Sequence, residues 1–275
     1  MTLTLELVVI GALTGVISGL IGVGGGFIFI PLLTMIGMPM RSAAGLSLVF
    51  VACVATSGAV SHYRQGTGDL MVAAVVLPGA LVTVPVGSYC SAILPNRLLE
   101  VLFGLLVLVA ASALHWQSAQ QKPFPGAPVV GSGTTRPVWV VLRRAKVNGT
   151  EYLFPVNLLR GFAVGGIVGF LAGLLGVGGG SLLVVLLILV VGVPASIAAG
   201  TSLLGIIIPA LAGALTHYGL GHIDMASAVP AVLAGVLGAV LGARGTLTLS
   251  ESRLQSIMVW LFVLVAAYMI GRGII

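Results

Sequence analysis

Two glycine clusters carry the clearest chemical signal in this chain. Gly22-Val23-Gly24-Gly25-Gly26 interrupts one long apolar run, and Gly176-Val177-Gly178-Gly179-Gly180 interrupts another. A glycine inside a helix costs about 0.5–1 kcal/mol relative to alanine. Two such clusters in matching surroundings therefore predict helices that are meant to break. A helix restarting after Gly26 or Gly180 offers amides without intrahelical partners and the positive end of its dipole. Such an end favours an anion without any buried lysine or arginine. Ser47, Ser181, Thr201 and Ser202 lie in or near the same segments and add hydroxyl donors. Where Thr201 offers a hydroxyl, its counterpart Leu46 offers none, so the site is expected to be asymmetric and to hold one anion.

His62 and His217 close two of the apolar runs. A histidine inside a membrane protein relays protons or gates; at a membrane interface it anchors a helix end, and both roles stay open. Asp69 and Asp224, just beyond them, read as caps for the next helices. Other chemistries find no support. The glycine clusters lack the lysine of a P-loop and any βαβ context. Cys53 and Cys90 stand alone in apolar sequence, as small buried residues, without metal-ligand spacing. No nucleophile–base pair lies at membrane depth, so no enzyme activity, metal or cofactor is expected.

The elements that must hold these residues follow from composition. Of 275 residues, 59% are hydrophobic and 7% charged, against roughly 25% charged in soluble domains. Uncharged apolar stretches of membrane-spanning length recur along the chain, which predicts an all-α polytopic integral membrane protein. The short alternating segments of a β-barrel are missing. The net charge of +6 does not indicate nucleic acid, because the basic residues lie between apolar runs, where membrane topology uses them. Lipid is the expected environment, and a homo-oligomer is left open.

An internal repeat organises the chain. The glycine clusters are 154 positions apart; Ser42–Ser47 matches Ile197–Ser202, His62-Tyr63 matches His217-Tyr218, Gly66 matches Gly221, and Asp69 matches Asp224, all 155 apart. Residues 1–114 and 156–275 are thus two copies of one unit. Each is predicted as a glycine-broken helical hairpin (3–37 and 156–191) and three ordinary spans, about eight spans in all. The later spans are placed at 41–62, 70–93 and 97–114, then at 195–217, 225–246 and 253–271. Pro39 and Pro194 mark turns into helices. Glycines four apart, as in Gly15-Gly19 and Gly161-Gly165-Gly169-Gly173, predict close helix packing rather than function. Residues 115–155 read as an extramembrane loop, first linker-like, then a small β-hairpin turning at Asn148-Gly149.

Charge bias orients the units. If each broken hairpin returns to its starting side, Arg64, Lys122, Arg136, Arg143, Arg144, Lys146, Arg160, Arg244 and Arg253 share one side, with Arg41, Arg97 and Arg272 on the other. A single crossing gives a weaker split of eight to four. The positive-inside rule then puts the 115–155 loop in the cytoplasm, the termini outside, and the two units in inverted orientation.

The GLIGVGGG and GLLGVGGG segments, each followed by a proline-led helix with AAGLS or AAGTS, resemble the sulfite exporter TauE/SafE family of membrane transporters. So do the two HY segments followed by glycine and aspartate. The resemblance covers nearly the whole chain outside 115–155. It implies a carrier of the inner membrane whose substrates are sulfur-containing anions such as sulfite and organosulfonates. By matching position it places substrate contacts on Gly22, Gly24, Gly25, Gly26, Gly176, Gly178, Gly179 and Gly180, joined by Ser47, Ser181, Thr201 and Ser202. The expectation is a secondary transporter of a small anion. The alternatives are a passive anion channel and an intramembrane enzyme.

Overall fold

The computed structural model describes residues 2–21, 24–64, 67–119, 139–147, 150–245 and 251–274. The chain runs α1 (Thr2–Ile21), α2 (Gly26–Met35), α3 (Met40–Arg64), α4 (Leu70–Ile93) and α5 (Asn96–Ala119). A two-stranded antiparallel hairpin follows, β1 (Val140–Val147) and β2 (Thr150–Asn157). Then come α6 (Leu158–Leu175), α7 (Gly180–Leu186) continued by a π-helical turn (Leu187–Val191), α8 (Ala195–Gly219), α9 (Met225–Gly245) and α10 (Glu251–Ile274). Among the described residues, six helices are long and apolar enough to cross a membrane, and four shorter apolar helices accompany them.

Local chemistry explains most boundaries. Asp69 accepts from the amides of Met71 and Val72 to start α4. Asp224 accepts from Ala226 and Ser227 to start α9, so both aspartates are the helix caps expected of them. Pro194 is the N-cap of α8, and Pro39 precedes α3. Val147 pairs with Thr150; the expected turn residues, Asn148 and Gly149, lie outside the described residues.

Glycine sets the packing. A Cβ on Gly11, Gly15 or Gly19 of α1 would lie 2.0–2.2 Å from the carbonyl oxygens of Ala231, Gly235 and Ala239 of α9. These helices therefore run parallel with their backbones in contact, as small residues permit in lipid. Gly165 and Gly173 of α6 meet Val76 and Val84 of α4 in the same way, again in parallel. By contrast α3 and α8 are antiparallel, with Gly45 against His217 and Gly58 against Leu203.

These directions fix the course of the two broken elements. The start of α3 faces the end of α8 and hence the start of α9, beside which α1 begins. Since α2 leads directly into α3, the α1–α2 pair leaves and returns at one end of the bundle, the Asp224 end. The α6–α7 pair does the converse. Parallel to α4, it starts beside Asp69 and, through the π-helical turn, returns there to enter α8. Arg41, Arg97 and Arg272 lie at the Asp224 end. Arg64, Arg143, Arg144, Lys146, Arg160, Arg244 and Arg253 lie at the Asp69 end; Lys122 and Arg136 are outside the described residues.

The hairpin is seated on the Asp69 end. Phe154 and Val156 are buried, and the Arg143 guanidinium donates two 3.0 Å bonds to the Asp69 carboxylate. Cys53 and Cys90 are free and half-buried rather than enclosed in the core.

Candidate functional site

Both glycine clusters break their helices. After α1 ends, Gly24 and Gly25 take left-handed φ values of +81° and +77°, and α2 restarts at Gly26. After α6 ends, Gly176, Gly178 and Gly179 take +74°, +71° and +76°, and α7 restarts at Gly180. Residues with a Cβ pay roughly 1–2 kcal/mol to enter this region, which is why glycine is needed. Gly25 and Gly179 are the N-caps of the restarted helices, and neither has a side chain to cap the first turn. Gly22 lies outside the described residues.

The two breaks, 154 residues apart in sequence, come into contact. A Cβ on Gly26 would sit 2.4 Å from the carbonyl oxygen of Val177. Gly24 and Gly178 flank the same side chain of α3, Val51, and Gly176 lies on the backbone of Ala44. The α3 segment Ala44–Val51 is thus the surface on which the tips of both broken hairpins rest.

Hydroxyls at this junction fall into two kinds. Ser47 is fully buried, its Oγ 3.1 Å from where a Gly26 Cβ would be, and it has no hydrogen-bond partner. Ser181, in the first turn of α7, is likewise buried and unpartnered. Leaving a buried hydroxyl unpaired costs about 1–3 kcal/mol, so each invites a ligand or a water. The other atoms of this kind among the described residues are Thr14 Oγ1, Ser91 Oγ and Arg41 Nε. Thr201 and Ser202 differ. Thr201 donates to the Ile197 carbonyl at 2.7 Å and accepts from the Asp69 amide at 3.0 Å, and Ser202 donates to Ala199. Their protons are spent within the fold.

Comparison with known proteins agrees with this architecture. The sequence profile described as Sulfite exporter TauE/SafE matches residues 7–269. The chain belongs to the sulfite exporter TauE/SafE family. In Bacillus subtilis it is similar to the probable membrane transporter protein YunE, 26% identical over 98% of this chain and 97% of that one. A probable membrane transporter protein of Xylella fastidiosa is 40% identical over 42% of this chain and 46% of its own. The Arabidopsis thaliana sulfite exporter TauE/SafE family protein 5 is 31% identical over 34% of this chain and 22% of its own. No solved structure matches. The chain is accordingly a membrane transporter and not an enzyme.

In this TauE/SafE chain His62 and His217 fare differently. His62 falls in the last turn of α3, where its side chain is outside the described residues. His217 is fully buried in the last turns of α8. Its Nε2 lies 2.9 Å from the Gly173 carbonyl, and its Nδ1 lies 2.9 Å from Nδ1 of His222. A Schellman closure places His222 there. After α8 ends, the left-handed Gly221 (φ +73°) lets its own amide reach the Tyr218 carbonyl and the His222 amide reach the His217 carbonyl. His222 was not singled out from the sequence, although a glycine just past a helix end is the signal for such a return.

His222 also lines a cavity of about 380 Å³ at the Asp224 end, with Pro39, Ser42, Leu46, Asp224 and Ser227 among its walls. The Ser227 hydroxyl and the Ala226 amide hold the Asp224 carboxyl below its ordinary range. Burial and then the nearby Arg41 guanidinium push His222 below the ordinary histidine range. The cavity abuts the α3 segment whose next residue, Ser47, reaches the glycine junction.

Proposed function

We propose that the chain is a secondary transporter carrying a small anion, sulfite or an organosulfonate, across the bacterial inner membrane. The observation that carries this reading is the junction itself. Two left-handed glycine breaks touch beside two buried hydroxyls that have no partner. Irregular backbone at membrane depth survives only where protein or a polar cavity covers it, and broken helices in matching repeats mark a carrier's central site.

On this reading residues 1–114 and 156–275 are inverted repeats whose hairpins enter from opposite faces. The anion rests on the first-turn amides of α2, the backbone of Gly24, Gly25, Gly26, Gly176, Gly178, Gly179 and Gly180, and the hydroxyls of Ser47 and Ser181. Thr201 and Ser202 brace the cradle from behind. Residues 115–155 face the cytoplasm, following the charge bias between the two ends; labelling of a cysteine at position 144 from outside the cell would reverse that orientation. The sulfur chemistry of the substrate follows from the family.

Proteoliposome uptake of sulfite, methanesulfonate, thiosulfate and sulfate tests the site. Ser47→Ala with Ser181→Ala is expected to cut flux of the preferred anion about tenfold or more, since a hydrogen bond to a charged group is worth roughly 1.5–3 kcal/mol. The same variant should match or exceed the wild type in thermal stability, because it removes two unpaired buried groups. Unchanged flux would end the assignment of these hydroxyls. Saturation and counterflow favour a carrier, and unitary currents a channel.

A further inference from the structure

Histidine stereochemistry at the end of α8 limits how many protons the pair can hold. The Gly173 carbonyl can only accept, so Nε2 of His217 carries its proton. The two Nδ1 atoms at 2.9 Å share a hydrogen bond only when one of them is protonated and the other bare. In the neutral pair, His222 Nδ1–H donates to His217 Nδ1, and Nε2 of His222, on the far side of that ring, is left as a bare acceptor. An added proton binds at that Nε2. The added charge rests on His222, the more exposed ring, whose Nδ1–H stays donated to the buried His217. One proton enters, none moves between the rings, and no bond to carbon changes. A second proton would set two N–H groups against each other, so the pair takes only one.

Its position gives that proton a role. Gly173 supplies one of the last four carbonyls of α6, the negative end of the helix dipole, which favours a cation. Three residues later the break begins, and beyond it α7 restarts. Half-helix C-termini hold coupling cations and half-helix N-termini hold anions in broken-helix carriers generally. The route to the pair is the cavity wall formed by His222.

The charged groups around the pair are few. From α3, Arg41 faces His222 and opposes its protonation. From the start of α9, the Asp224 carboxylate shares the cavity with His222. Glu100 of α5 is committed to Arg272 of α10. Asp69 and Arg160 stand at the opposite ends of α4 and α6.

We propose that His217 and His222 form a one-proton site that couples movement of one proton to movement of one anion in the same direction. This rests on the anion site proposed above. Arrival of the anion raises the proton affinity of the pair, and by linkage the anion binds more tightly as pH falls.

Methanesulfonate is the probe, because it does not titrate near neutral pH. Across a one-unit pH gradient in proteoliposomes, one-to-one symport of a monovalent anion is electroneutral and supports about tenfold accumulation. His222→Asn keeps a donor toward His217 Nδ1 but cannot titrate, and His217→Gln keeps a donor toward Gly173. Both are expected to exchange methanesulfonate across the membrane yet accumulate none. Wild-type accumulation persisting in these variants would overturn the proton site. So would wild-type exchange that ignores the gradient, with the anion site left standing. Absence of any wild-type uptake would instead overturn the anion site beneath it. Ring ¹⁵N spectra of the detergent-solubilised wild type give a readout independent of folding in the variants. A single shared titration of the two rings is expected, and two independent ones would refute the pair.

Discussion

Gly26→Ala is expected to reduce anion flux about a hundredfold while the protein remains folded and extractable. The added methyl would sit 2.4 Å from the Val177 carbonyl oxygen and 3.1 Å from Ser47 Oγ. Neither the backbone oxygen nor the α3 helix can absorb that contact locally, so the tips of the two broken hairpins must separate. Overpacking of this kind typically costs about 1–3 kcal/mol, which a large helical bundle tolerates. Displacement of a site by about 1 Å is enough to cost roughly a hundredfold in function. Gly192→Ala is the control for added bulk without a clash. Unlike Gly26, Gly192 has a left-handed φ of +84°, but a methyl there meets nothing within 4 Å. It should lose about 1 kcal/mol of stability from strain and keep near-wild-type flux. Flux in proteoliposomes, with size-exclusion profiles of both variants, decides the matter. Equal flux in the two would mean that contact between the tips does not shape the site.

The largest stability effect is expected at Asp69. Its carboxylate is buried, takes two bonds from Arg143 of β1 and two from the α4 amides, and its own amide donates to Thr201 of α8. Arg143→Met leaves that carboxylate in place without its cation. Removing one partner of a buried pair costs about 3–5 kcal/mol, and the one-third exposure of Arg143 puts this case at the lower end. Asp224→Asn, at the other aspartate N-cap, 155 positions on in the sequence, is the control. Asp224 is exposed and bonded only within its own first turn, so its loss should leave thermal unfolding in detergent nearly unchanged. Similar destabilisation by both variants would show that the hairpin clamp contributes nothing beyond the cap.

The contrast between these two aspartates shows what was legible beforehand. Their role as caps could be read from position, because a cap acts on amides two and three residues away. The same holds for the helix limits, for Pro39 and Pro194, and for the hairpin around Asn148-Gly149. Hydropathy, turn chemistry and glycine's φ freedom act within a few residues, so the sequence alone determines a helical membrane chain with one small hairpin, its helices interrupted at two matching places. It does not determine which side chains complete each place. Arg143 reaches Asp69 from 74 residues away and Thr201 from 132, while Gly26 meets Val177 only because the two hairpins enter from opposite ends. Ser47 and Thr201, equal candidates as hydroxyls, part company because Thr201 finds the Asp69 amide and Ser47 finds nothing. The partner of His217 appears only once the Gly221 turn folds His222 back. Hydrogen-bond satisfaction in a core is settled by neighbours that the packing of whole helices supplies, and that packing belongs to the tertiary structure.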